Sequence, residues 1–160
     1  MYTNEFKKCA VKVLTFWIVY DRLGCSKSVF DLRYRREGVT VDFVFTQTQG
    51  PVSVTLAGSV RGGDGVFWMY GGDRPHIGAV RVSGEDGGLA VTYPGHREDA
   101  LTDTLAGQLE QSGLLGHFVV CAGVHYDDIP KEWIPEILSA GRTLGQRAVS
   151  YLRERLAEQG

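Results

Sequence analysis

The chain has few of the features that would mark it as disulfide-built, nucleic-acid-binding or membrane-spanning. Its three cysteines, Cys9, Cys25 and Cys121, form no C-x-x-C pair and no even-numbered set. That excludes a disulfide framework and makes a reducing cytoplasm the expected compartment. Cys121 sits within Phe118-Val119-Val120-Cys121-Ala122 and reads as a buried, inert thiol. Lysines and arginines number 17 against 19 acidic residues, a net charge of -2, with no basic cluster or acidic tail. No face is therefore set aside for nucleic acid. Long apolar runs are also missing. The stretch from Ala10 to Tyr20 is broken by Lys12, and Asp21-Arg22 separates it from Cys25. It falls well short of the roughly 20 residues of a membrane span and does not fit a signal peptide. The chain contains no H-E-x-x-H or H-x-H, so its histidine spacing gives a metal site little support. Ser83, Ser112 and Ser139 occupy no elbow-like turn, so nucleophilic catalysis has less.

A hydrophobic content of 43% over 160 residues is enough for one core. Residues 1–28 read as an N-terminal extension that packs Phe16, Trp17, Ile18 and Tyr20 onto the domain or a partner, and 29–160 as a single domain. Val39, Val41, Phe43 and Phe45 alternate with polar residues, as a half-buried strand does. Gln49-Gly50-Pro51 turns the chain, and Val52, Val54 and Leu56 continue the alternation, which predicts a hairpin. Gly62 to Gly65 forms the next turn. Val66 to Tyr70, His76 to Ser83, Leu89 to Tyr93 and His117 to Val124 read as further strands, the last one central, and Trp68 reads as core. Leu101, Leu105 and Leu109 recur every four residues, so 97–112 is an amphipathic helix closed by Gly113. A last helix starts near Asp128 or at Pro135 and runs to about Ala157. The fold class is α+β: a mainly antiparallel sheet with two helices packed on one face. Gly141, Gly145 and Ala148 form a small-residue stripe on the last helix. Together with the aromatic N-terminus it hints at a homodimer, or else packs on the chain's own sheet.

The 21 glycines exceed average usage and gather in turns. Three runs place a histidine beside glycine and a carboxylate where a hydrophobic run begins or ends: Gly71-Gly72-Asp73-Arg74-Pro75-His76-Ile77-Gly78, Pro94-Gly95-His96-Arg97-Glu98-Asp99 and Gly123-Val124-His125-Tyr126-Asp127-Asp128. Strand ends and helix starts hold free backbone amides, so the three runs are expected to converge on one ligand pocket. Each run also has a simpler reading. The first makes a Gly-Asp turn shaped by Pro75. The second caps a helix with Glu98 and Asp99 in its first turn. In the third, Asp127 or Asp128 acts as an N-cap. His117 reads as a surface or edge residue. Trp68, Tyr70, Tyr93, Tyr126 and Trp133 lie near the runs, and such aromatics suit a planar phosphorylated ligand such as FMN, or else fill the core. His76, His96 and His125 would also serve a metal-dependent enzyme, with a carboxylate as base.

These three runs, in this order and with a helix after the second, resemble the prenylated-flavin chaperone (LpdD-like) family, typified by the small D subunit associated with gallate decarboxylase. The resemblance covers about residues 39–155. It implies a non-catalytic accessory protein that binds prenylated FMN and delivers it to a decarboxylase of the UbiD type, or assists that enzyme's maturation. The cofactor-binding residues it implies are Gly72, Asp73, His76, Gly78, His96, Arg97, Glu98, Gly123, His125 and Asp127.

Overall fold

The computed structural model describes residues 38–84 and 88–159 and, before them, the backbone pairing of β1 (Lys12–Val13) with β2 (Phe16–Trp17). The expected packing of the N-terminal extension and the turn at 85–87 lie outside the described residues.

The alternation at residue 39 onward becomes a hairpin. β3 (Thr40–Gln49) pairs residue for residue with β4 (Val52–Arg61), from Thr40 opposite Arg61 to Gln49 opposite Val52. Gly50 makes the turn with φ +55°. A second turn at Gly62–Gly63 leads into β5 (Asp64–Gly72), antiparallel to β4. β6 (Ala79–Val82) and β7 (Leu89–Thr92) form another antiparallel pair. β8 (Phe118–His125) lies between β5 and β6, parallel to the first and antiparallel to the second. The sheet order is β3-β4-β5-β8-β6-β7.

Two helices complete the fold. α1 (Asp99–Ser112) buries Leu101, Leu105 and Leu109, and it ends at Gly113, whose left-handed backbone lets its N–H donate to the Glu110 carbonyl. α2 (Trp133–Glu158) buries Ile137, Leu144, Leu152 and Leu156. Both helices cover the same side of the sheet and share one core with Val54, Leu56, Phe67, Met69, Val120 and Ala122. The architecture is α+β, as the change of period implies.

Three local expectations are corrected. The strand expected over 76–83 is only Ala79–Val82, because His76 to Gly78 is held in the cluster described below. The last helix starts at Trp133, since Asp128 has φ +53° and Pro135 is accommodated in the first turn. Neither Asp127 nor Asp128 therefore caps it. Trp68 is not core: it faces the open side of the sheet, 39% exposed, while its neighbours Phe67 and Met69 are fully buried. Cys121 pairs with Trp68 across the sheet and is half-buried, and desolvation pushes its thiol pKa up. The small-residue stripe of α2 packs within the chain. A Cβ at Gly141 would meet Leu101 and Met69, and one at Gly145 would meet Gln108 and Leu105. Among the described residues, no helix is long and apolar enough to cross a membrane.

Candidate functional site

Topology brings the three histidine runs to one end of the sheet. β5 and β8 are parallel, so the Gly71–Gly72 and Val124–His125 termini emerge side by side, with Gly72 opposite His125. β6 starts at the same end, because Ala79 pairs with both Ala122 of β8 and Thr92 of β7. The chain leaving β7 then turns through Gly95 into His96 and the start of α1. The carboxyl ends of a parallel pair are a common place for ligands, and here four strand ends and one helix start meet there.

Backbone contacts fix the convergence. The Asp73 N–H donates to the His125 carbonyl at 2.7 Å, and the Gly78 N–H to the Ala122 carbonyl at 2.8 Å. The Asp127 N–H donates to Asp73 Oδ2 at 3.0 Å. Asp73 thus ties the first run to the third. Gly123 lies against the backbone carbonyl of His76, with no room for a Cβ between them.

The side chains form two adjoining groups. In the first, His76 Nε2 lies 3.0 Å from His96 Nδ1. Glu98 Oε1 is 3.4 Å from His76 Nε2, and Glu98 Oε2 is 3.4 Å from His96 Nδ1. Arg97 is exposed and enters through its backbone N–H, which donates to Glu98 Oε2 at 2.9 Å. Glu98 occupies the N-cap position of α1 without making a side-chain cap bond. Its carboxylate, 12% exposed, is turned to the imidazoles instead. Simple helix capping does not describe this residue.

The second group is Arg74, His125 and Asp127. The Arg74 guanidinium is bonded to the Asp127 carboxylate. His125 Nε2 lies 3.0 Å from Arg74 Nη2 and 3.1 Å from Asp127 Oδ1. The His76 and His125 rings meet edge to face at 5.8 Å, joining the two groups. All ten residues expected at the site therefore gather at one sheet end, though not in one role. Gly72, Asp73 and Gly123 set the backbone, Arg97 contributes its amide, and His76, His96, Glu98, His125 and Asp127 present side chains. Gly78 lies against the Glu98 carboxylate and His96 Nδ1. The expected metal trio is rearranged: Glu98, rather than His125, completes the close set with His76 and His96. Arg74 was missed, although it lies within the first run. Its position between Pro75 and Asp73 gave no sign that it reaches the third run. His117 stands apart at the opposite end of the sheet, near Asp64, and is largely exposed.

The Asp127 carboxyl is held below the ordinary carboxylate range, first by its hydrogen bond from Arg74 and then by His125. A depressed carboxyl stabilises the fold above its unfolded pKa, and the contribution is lost as pH falls through the lowered folded value. The pair is therefore intact through the neutral range and opens only in acid, below the pH at which an ordinary aspartate takes up its proton. Carboxyl carbon NMR of Asp127 is expected to show this low midpoint, and Arg74→Ala should move it back up. An Asp127 midpoint unchanged by Arg74→Ala would contradict the pairing.

A concavity of about 470 Å³ lies elsewhere, on the open face toward the start of β5, lined in part by Asp42, Val44, Ala57, Val66 and Trp68. It is apolar and holds none of the three histidine runs.

The family profile described as "Prenylated flavin chaperone LpdD-like domain" matches residues 48–153. The match spans every element from β4 into α2 and includes all three histidine runs. No curated protein matches the chain.

Proposed function

Because the chain belongs to the prenylated flavin chaperone LpdD-like family, we propose that it binds prenylated FMN at the convergent sheet end, without turning it over, and delivers it to a UbiD-type decarboxylase in the cytoplasm. The observation that carries this reading is the meeting of the three histidine runs at the carboxyl ends of β5 and β8. The donor set suits the ligand. Arg74 and Arg97 offer guanidinium groups to a phosphate, and the imidazoles of His76, His96 and His125 offer hydrogen bonds and flat faces. Arg74 is 69% exposed and already paired with Asp127. An incoming phosphate displaces a carboxylate rather than water alone, which weakens binding and favours release. Reversible binding is what a carrier requires.

The decarboxylase is the partner that would consume the carried flavin. Residues 29–160 act as one binding domain in this reading, with 1–28 as an extension. Self-association as a homodimer is supported by the open sheet face, where Val44, Val66, Trp68, Leu89 and Val91 are exposed.

Co-expression with a flavin prenyltransferase and a UbiD-type decarboxylase tests the role. His125→Ala is expected to leave complex formation intact while active decarboxylase falls at least about tenfold, the loss of one charge-assisted contact. Full activation by this variant would count against delivery through this site.

A further inference from the structure

We infer that His76, His96 and Glu98 form a binding site for a divalent first-row transition ion of the zinc or iron class, with at least one coordination position left open. The three side chains each present a ligand atom to a common point. His76 Nε2 and His96 Nδ1 stand 3.0 Å apart, and the Glu98 carboxylate spans them, with Oε1 3.4 Å from the first nitrogen and Oε2 3.4 Å from the second. Ligands bound at about 2.0–2.1 Å in tetrahedral geometry stand roughly 3.3–3.4 Å apart, and octahedral neighbours somewhat closer. These separations are close to those of neighbouring ligands around such an ion, with the carboxylate placed to bind through either oxygen or both. Two imidazoles and one carboxylate are a recurrent donor set for these metals.

Proton bookkeeping points the same way. His76 Nδ1 lies 3.1 Å from the Arg74 carbonyl, which only accepts. Nδ1 therefore carries a hydrogen, and whenever the ring is neutral the lone pair of Nε2 faces the other two ligands. Holding one imidazole nitrogen on a backbone carbonyl so that the other is free is the outer-shell arrangement typical of metal-bound histidine. Glu98 is anchored in the same way, by the Arg97 N–H on Oε2. With the carboxylate ionised, two of the three inward groups offer only lone pairs, and His96 Nδ1 has at most one proton to share between them. A cation at the centre satisfies all three.

The surroundings are built around this point. The backbone at residue 78 comes so close that a Cβ there would lie 2.5 Å from Glu98 Oε2 and 2.9 Å from His96 Nδ1. The three side chains are between 12% and 31% exposed, so they are held in place yet open to solvent on one side. The site stands on the geometry of this chain's own residues and does not depend on flavin binding.

The test uses the full chain, freed of flavin and stripped of metal, titrated with Co²⁺ alone and followed by its visible ligand-field bands, with Zn²⁺ as competitor. One equivalent is expected to bind and to be displaced by Zn²⁺. Glu98→Gln and His96→Ala are each expected to weaken binding at least about tenfold, the scale of losing a ligand or its support. His117→Ala, a histidine at the far end of the sheet, should bind as the wild type does. Circular dichroism and melting of each variant separate lost ligation from lost folding, and Glu98→Gln, which keeps the side-chain shape, is the decisive variant. The inference is overturned by no stoichiometric binding at 100-fold excess metal, or by binding that survives Glu98→Gln in a folded protein. Flavin binding without metal would leave the carrier role standing and sink the ion site, whereas metal without flavin would do the reverse.

Discussion

Gly123→Ala is expected to destabilise the chain by about 3 kcal/mol, the upper end of the cost of overpacking, and to disturb the histidine cluster at the same time. The residue lies near the carboxyl end of β8, and the first heavy atom a Cβ would meet is the backbone carbonyl oxygen of His76. A flexible side chain would swing away from such a contact. A carbonyl in a segment tied down by the Gly78-to-Ala122 and Asp73-to-His125 hydrogen bonds has no such freedom. Either β8 shifts away from β5 and β6, or the 76–78 segment moves and carries His76 away from His96. The expected fall in Tm is about 6–12 °C for a chain of this size. Gly107→Ala is the control. It lies within α1, where an added methyl group would meet nothing within 4 Å, and it has an ordinary helical φ, so it should raise stability by about 0.5–1 kcal/mol. If the two variants melt alike, the close approach at Gly123 is not real.

Phe67→Ala is expected to cost about 3–5 kcal/mol. Its ring is fully buried on β5, which pairs antiparallel with β4 and parallel with β8, opposite Gly58 on one side and Val120 on the other. It lies 6.2 Å from the Phe43 ring and fills the space above Gly65. A loss of this size takes a large share of the typical 5–15 kcal/mol of a folded domain. Urea denaturation should show the midpoint falling with little change in slope. A loss below about 1 kcal/mol would mean that the core does not pack through Phe67. Trp68→Ala, its neighbour on the open face, should cost far less in the monomer, which separates the two faces of one strand.

That strand also shows what the sequence concealed. Val66, Phe67, Trp68, Met69 and Tyr70 are apolar on both faces, so an alternation of two identifies the strand but not the side that the helices cover. Where one face was polar, as with Val41 and Phe43 against Thr40 and Asp42, strand and burial were both legible. The helices were legible because leucines four apart have few other uses. At the site, the three glycine–histidine runs announced themselves by composition, and their meeting place followed once β5 and β8 proved parallel. The division of labour within the runs was hidden. Arg74 reaches His125, Asp73 is spent on the Asp127 backbone, and Glu98 rather than His125 joins the His76–His96 pair. These pairings cross 20 to 54 positions of chain, and no local period encodes them.

The carrier role itself has a direct measurement. Purified, flavin-free protein is mixed anaerobically with reduced prenylated FMN and passed through a sizing column, with absorbance read across the elution. The expected result is flavin travelling with the protein at close to one equivalent per chain, and a reduced share with His125→Ala. Flavin eluting wholly at the small-molecule volume, from protein shown to be folded, would contradict it.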